Sequence, residues 1–344
     1  MASKALGNRR ICVAPETKVA ILQQAKTYPD RPSRVDVVET HMSWVFLTAR
    51  YAYKMKKPVR YDFLDFSTVE ARKNNCAEEV RLNRRLAHDL YIGVVPLTVD
   101  ADGNIALDGS GEAIDWLVKM RRLPADCMLD YLIMHHAIRQ TDIRSAALLL
   151  ANFYKESPVI EIDAVQYKAQ FKRDIDYNLR GLIRPTYGLD VALVKDIHDA
   201  QLKLLRNEAT LFDRRIAEKR IIEAHGDLRP GHICLEPRPV IFDCLEFNRQ
   251  FRILDPADEL SFLAMECEHL GVTFVGREFF RIYEQVTQDR PPGPLVHFYK
   301  AYRACLRARL AIWHTHELEK SHWPKWRDLA NAYLRLADRH SQQL

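Results

Sequence analysis

His225–Phe247 reads HGDLRPGHICLEPRPVIFDCLEF. It opens on a His-x-Asp, passes a proline and a glycine that mark a loop, and continues into two short apolar runs, ICL and VIF, the second ending in Asp243. Asp227 therefore falls on a loop just ahead of a strand, where its carboxylate can face an incoming hydroxyl as a base, and His225 can hold the loop by packing and hydrogen bonding. Asp243 falls at the end of a strand, where a carboxylate can hold Mg²⁺ bridging nucleotide phosphates. Transfer of a γ-phosphoryl group from ATP needs little covalent chemistry from a protein. It needs positioned charge, magnesium and an acceptor for the hydroxyl proton.

Outward from this stretch, the chain changes character near Leu123. Val35–Val38, Trp44–Thr48 and Tyr51–Met55 are short and rich in β-branched and aromatic residues, and read as a three-strand meander. Ser67 opens STVEARKNNCAEEVRLNRRL with a candidate N-cap, Glu70 three residues on and apolar positions Val80, Leu82 and Leu86, which predicts one amphipathic helix. VVPLTVD, IAL and IDWLVKM supply further strands around the turn at Asp102-Gly103. From Pro124 onward the period is helical over Met128–Ile138, Asp142–Tyr154, Ala164–Leu182 and Val191–Glu223, with further helices from Pro256 and over Phe274–His316. The expected organisation is an N-terminal helical extension (1–34), a strand-rich lobe with one helix (35–123) and a helical lobe (124–344) that carries the loop 225–235 and the strand 240–246. This is an α+β, two-lobed layout.

The strand-rich part offers cations for phosphate. YAYKMKKP puts Lys54 and Lys56 at i and i+2, hence on one face of a strand. Such a lysine is usually steadied by a helix carboxylate, and Glu79, one turn before Leu82 and Leu86, is the favoured partner over Glu78.

Composition narrows the class without choosing the activity. The 344 residues are 47% hydrophobic and 28% charged with a formal net charge of +5, an ordinary globular balance that is compatible with anionic ligands and short of a nucleic-acid-binding signature. Seven scattered cysteines with no C-x-x-C exclude a disulfide framework. The N-terminus lacks the apolar core of a signal peptide, and no stretch approaches a membrane span, so the cytoplasm is the expected compartment.

These residues together resemble the aminoglycoside phosphotransferase and choline kinase branch of the protein-kinase-like fold. Within it the chain is similar to a bacterial group of uncharacterised phosphotransferase-like proteins, through ETHMSWVFLT from Glu39, YKMKKPV from Tyr53, FLDFST from Phe63, EEVRLNRRL from Glu78, HGDL from His225, IFDCLEFN from Ile241 and FYKAYRACLR from Phe298. HGDL alone is a weak signal; the combination, from about Glu39 to Arg309, is specific. The resemblance implies Asp227 as catalytic base, Asp243 as metal ligand, Lys54 as the phosphate lysine with Lys56 as fallback, and Glu79 as its ion-pair partner. It implies a hinge that meets adenine at Met120–Leu123, so Met120 and Arg121 are cofactor-binding candidates, and it implies Asp258 as a brace for the catalytic loop. Many relatives continue into a P-loop domain; no G-x-x-x-x-G-K-[ST] occurs here, so a coupled second activity is not expected of this polypeptide.

Two departures from the pattern stand out. Thr40–Ser43 replaces a glycine-rich turn. His232 takes the place of an asparagine that binds magnesium through oxygen; a neutral imidazole suits Zn²⁺ or Mn²⁺ better than Mg²⁺. The expectation is an ATP- and Mg²⁺-dependent transferase, with Mn²⁺ an alternative metal, that acts on a hydroxyl of a small molecule and has no nucleic-acid or membrane partner. Two alternatives stay open: a nucleotide-binding pseudokinase or scaffold, and a transferase of AMP to a protein. Bland readings suit other features. WHTHE, His135-His136, Glu266–His269, Arg121-Arg122 and Arg214-Arg215 are expected to be solvated surface, and Glu246 either a second metal ligand or a surface cap.

Overall fold

The computed structural model describes residues 13–61, 64–236, 238–316 and 319–344. Phe63 of FLDFST, Glu317 of WHTHE, Pro237 of the turn between the two short strands, and residues 1–12 of the N-terminal extension lie outside the described residues. Contacts divide the chain into a first unit up to Leu123, joined by Glu246–Asn248, and a second unit of Pro124–Leu245 and Arg249–Leu344.

The first unit contains α1 (Pro15–Leu22), β1 (Asp36–Glu39), β2 (Ser43–Leu47), β3 (Tyr51–Lys56), β4 (Arg60–Tyr61), β5 (Leu64–Asp65), α2 (Val69–Asn83), β6 (Tyr91–Val99), β7 (Ile105–Leu107) and β8 (Glu112–Arg121). Six strands form an antiparallel sheet in the order β1-β2-β3-β8-β6-β7. One face buries Phe46, Tyr53, Met55, Leu97 and Leu117, and the N-terminal extension covers this core with Leu22 and Tyr28. Asp115 on β8 ties the parts together: it receives Lys18 of α1 at 2.9 Å and Arg72 of α2 at 2.7 and 3.0 Å, all buried. The cap of α2 is Thr68, whose hydroxyl accepts the Ala71 N–H, rather than Ser67, which turns back to Asp65 instead.

The second unit contains α3 (Leu129–Met134), α4 (Gln140–Glu156), α5 (Ala164–Leu182), α6 (Val191–Asn207), α7 (Ala209–Ala217), β9 (Ile222–Glu223), β10 (Ile233–Cys234), β11 (Val240–Ile241), β12 (Ile253–Leu254), α8 (Pro256–His269), α9 (Phe274–Thr287), α10 (Gly293–Trp313) and α11 (Trp323–Ser341). The helical period over Val191–Glu223 is really two helices broken at Glu208 and a strand, because Ile222–Glu223 pairs with β12. α11 was not anticipated, although Ala330, Tyr333, Leu334 and Ala337 line its buried face at helical spacing.

Two expectations of solvated surface fail. Arg215 is buried, held by Asp255 at 2.7 and 2.8 Å and by Asp289 at 2.6 Å, so it fastens α7 to the segments that precede α8 and follow α9. Glu266 and Cys267 are also buried, because α8 packs on all sides. Other residues of these stretches make side-chain contacts: His314 stacks on Trp326, His316 meets the distant Tyr187 hydroxyl, and His135 stacks on Tyr131.

Candidate active site

The loop of the second unit is held from beneath by a carboxylate. Glu259 on α8 is buried and accepts the N–H of His225 at 3.2 Å and of Gly226 at 2.6 Å, and the Tyr154 hydroxyl at 2.8 Å. Its neighbour Asp258, the expected brace, instead takes both arms of Arg303 at 2.7 and 2.6 Å. Gly226 has φ +89°, and a Cβ there would sit 3.1–3.2 Å from Arg252 Cγ, Leu245 Cβ and Phe251 O. Only glycine fits both the angle and the space.

The strand expected over 240–246 is only β11, Val240–Ile241, and His225 clamps the loop to the segment after it that carries Asp243. The Asp227 N–H donates to His225 Nδ1 at 3.3 Å, so Nδ1 carries the lone pair and Nε2–H donates to Phe242 O at 2.8 Å. Burial pushes this imidazole below its ordinary pKa and keeps it neutral. Main-chain bonds complete the clamp, from Phe242 N–H to His232 O and from Leu245 N–H to His225 O, both 3.0 Å. Asp243 sits at φ +60°, a left-handed conformation uncommon outside glycine that aspartate tolerates better than most residues. Its side chain is 39% exposed.

Arg229 was not singled out in the sequence, yet it dominates the electrostatics. Its Nε lies 3.1 Å from both Asp227 carboxylate oxygens and its Nη2 lies 2.9 Å from Oδ2. The same Nη2 donates to His232 Nε2 at 2.9 Å, while His232 Nδ1–H donates to Asp227 O at 2.8 Å. Those two bonds fix the His232 tautomer as neutral with Nε2 unprotonated. Burial, then Arg229, lowers its pKa. Burial works to raise Asp227, but Arg229, His232 and Arg307 outweigh it and hold the carboxyl below its ordinary value.

In the first unit, the same-face lysines of β3 converge on one carboxylate. Glu79 is fully buried and accepts Lys54 Nζ at 2.9 Å on one oxygen and Lys56 Nζ on the other. Lys56 is also bonded to Glu246, whose side chain is 9% exposed, so Glu246 is not a surface cap. The side chain of Lys56 is 1% exposed and that of Lys54 is 15% exposed, so Lys54 has the open side. Met120 and Arg121 close β8: Met120 is buried opposite Ala52 and Tyr91, and the Arg121 N–H is taken by Leu90 O at 2.9 Å. The turn at Thr40–Ser43 is held by its own side chain, with Ser43 N–H on Thr40 Oγ1 at 3.0 Å.

Among the described residues no group of three or more His, Cys, Asp or Glu could hold a metal ion by itself. Mg²⁺ in nucleotide sites takes one or two carboxylates and completes its shell with phosphate oxygens and water, and Asp243 fits that role. His232 Nε2 is 3.5 Å from Asp243 Oδ2, but its lone pair points to Arg229.

The fold defines a class. It is the kinase-like α+β fold of choline kinases and aminoglycoside phosphotransferases. The chain superposes on a choline/ethanolamine kinase family protein from Mesorhizobium loti with a TM-score of 0.55 at 16% identity, covering 95% of this chain and 98% of that one. It superposes on a choline kinase from Cryptosporidium parvum with a TM-score of 0.56 at 9% identity (95% and 96% covered). A GDP complex of aminoglycoside 2'-phosphotransferase-IIIa gives 0.52 at 12% identity (95% and 99% covered). In sequence, the chain is 32% identical over 289 residues to uncharacterised proteins of Mycobacterium tuberculosis and Mycobacterium bovis, covering 80% of this chain and 54% of each relative. The chain thus spans about half the length of the curated relatives it matches. No protein-family model matches it.

Proposed function

We propose that the chain is an ATP-dependent phosphotransferase that acts on a hydroxyl of a small molecule. The observation that carries this reading is the His225 clamp: the buried imidazole takes the Asp227 N–H and donates to the carbonyl of Phe242, the residue before Asp243, so one side chain fixes the backbone beside both carboxylates. Asp227 orients the acceptor hydroxyl and takes its proton as the acceptor oxygen bonds to the γ-phosphorus and the bond to the β–γ bridging oxygen breaks, releasing ADP. Asp243 would hold Mg²⁺, with Mn²⁺ the alternative, and the metal when bound would neutralise charge on the phosphates. His232 would be a second ligand only with Nε2 free of Arg229. Lys54, steadied by Glu79, meets the phosphates, Lys56 remains in the core, and Met120 and Arg121 approach the adenine. ATP as donor puts the reaction in the cytoplasm. No helix of the described residues is long and apolar enough to cross a membrane.

The test is ATP turnover with Mg²⁺ or Mn²⁺ by the wild type, Asp227→Asn and His232→Asn. Turnover should fall by about 10³-fold or more in Asp227→Asn with nucleotide affinity kept. A second reading, a nucleotide-binding pseudokinase, is favoured by one observation: Arg229 occupies both Asp227 and His232. Nucleotide binding without turnover under either metal, with turnover appearing in His232→Asn, would select it.

A further inference from the structure

Asp243 lies past the last paired residue of β11, so its place depends on how the segment after that strand is held. His225 holds one edge of this segment, through Phe242 O and the Leu245 N–H. The other edge of Leu245 belongs to Arg252. Its Nη1 donates to Leu245 O at 2.9 Å, while its Nε and Nη2 donate to Glu223 Oε1 at 3.1 and 2.7 Å. The Arg252 carbonyl accepts the Ala224 N–H at 2.8 Å, and its Cγ lies 3.1 Å from where a Cβ on Gly226 would stand. Backbone, stem and head of one buried residue therefore touch the strand end before His225, the loop itself and the segment after Asp243.

An apolar side chain could fill the space beneath Gly226, but apolar packing has no direction. A guanidinium fixes direction, because its donors form a rigid planar fork and its hydrogen bonds carry charge. Glu223 supplies the opposite charge, which lets a side chain only 2% exposed stay ionised. Carboxylates that act on one reaction must keep their places to within about 0.5 Å, and groups behind them set those places. We propose that Arg252 is a positioning residue that keeps Asp227 and Asp243 in register, by tying the loop of one and the segment of the other to the strand end at Glu223. The roles of the two carboxylates rest on the phosphotransferase reading. The tether itself does not.

The experiment measures proton exchange at His225 by NMR, on the full chain without nucleotide. The His225 Nε2–H resonance, assigned through its contacts to Phe242 in protein made with isotope-labelled histidine, reports the closed clamp, and the amides of α10 report global opening. Arg252→Met should speed exchange at His225 by at least about tenfold beyond any change in α10, as befits the loss of a hydrogen bond from a charged group. Arg252→Lys keeps a charge opposite Glu223 but lacks the fork that also reaches Leu245 O. It should fold and still speed the exchange, and it decides the matter where Arg252→Met fails to fold. In ATP turnover, kcat should fall by at least about tenfold with the KM for ATP kept, because displaced carboxylates slow the chemical step while Lys54 and Glu79 are untouched. The assignment is overturned if both variants exchange at His225 like the wild type, if His225 and α10 speed up equally, or if kcat falls no further than the folded fraction. A wild type that transfers no phosphoryl group sinks the phosphotransferase reading instead, and the exchange result alone then decides the tether.

Discussion

At Asp227 burial is outweighed by nearby positive charge, Arg229 foremost, and this sets a pH dependence. The folded pKa lies below the ordinary 3.8, so the proposed base is ionised at neutral pH and is protonated only as pH falls through that lowered value. Replacing Arg229 by Gln takes away the foremost lowering charge, so the acid limb of kcat/KM should move to higher pH. An unmoved limb would show that the pair seen here does not govern the base. Gly226→Ala should destabilise by about 1–3 kcal/mol in urea denaturation, because an L-residue at φ +89° is strained and its Cβ meets the packed neighbours. At this scale the sequence was readable where chemistry and spacing coincide, as in HGD and IFD. It was not readable at Glu259: Asp258 and Glu259 are adjacent acids on a helix buried on every side, so no polar face tells which one points to the loop.

Among the elements, β3 carries two lysines that meet one carboxylate of α2, Glu79. Lys56 lies between Glu79 and Glu246, and Lys56→Met leaves two carboxylates without their shared cation in the core, at a cost of about 3–5 kcal/mol. Lys54→Met keeps Lys56 on Glu79 and should cost much less stability while nucleotide affinity falls by tenfold or more, read by titration calorimetry. Equal stability losses with nucleotide binding intact would reverse the assignment. Strand period put both lysines on one face, but it could not rank them: their ranking depends on Glu246, which lies 190 residues further along the chain. The six strands of the main sheet were legible through alternation and turn residues, whereas the two-residue strands β4 and β5 were not. β9 was lost inside a helical pattern, because a two-residue strand has no period of its own.

The whole molecule draws on partly buried ion pairs outside the site as well. Glu268 on α8 receives Lys300 of α10 at 2.5 Å and His340 of α11 at 2.8 Å. Burial works to raise Glu268, but these partners hold its pKa at about 2 against an ordinary 4.5. A lowered folded pKa stabilises above the unfolded value and is lost as pH falls through the folded one, so this contribution, at most about 3 kcal/mol, fades between about pH 4.5 and 2. Glu268→Gln should flatten the fall in stability over that window, and an unchanged slope would remove Glu268 from the account. The change from strand-rich to helix-rich sequence at Leu123 was visible in the periods, whereas the return of Glu246–Asn248 to the first unit was not, since no local pattern encodes a contact that distant.

The central claim is that the γ-phosphoryl of ATP goes to a small-molecule hydroxyl under the control of Asp227. The direct measurement follows label from ATP labelled at the γ or the α phosphorus into acceptor, with wild type and Asp227→Asn. The account predicts γ-label in a small-molecule product, none from the α position, and loss of transfer in Asp227→Asn. Transfer of α-label to protein with release of pyrophosphate, or nucleotide binding with no transfer of either label, would contradict it.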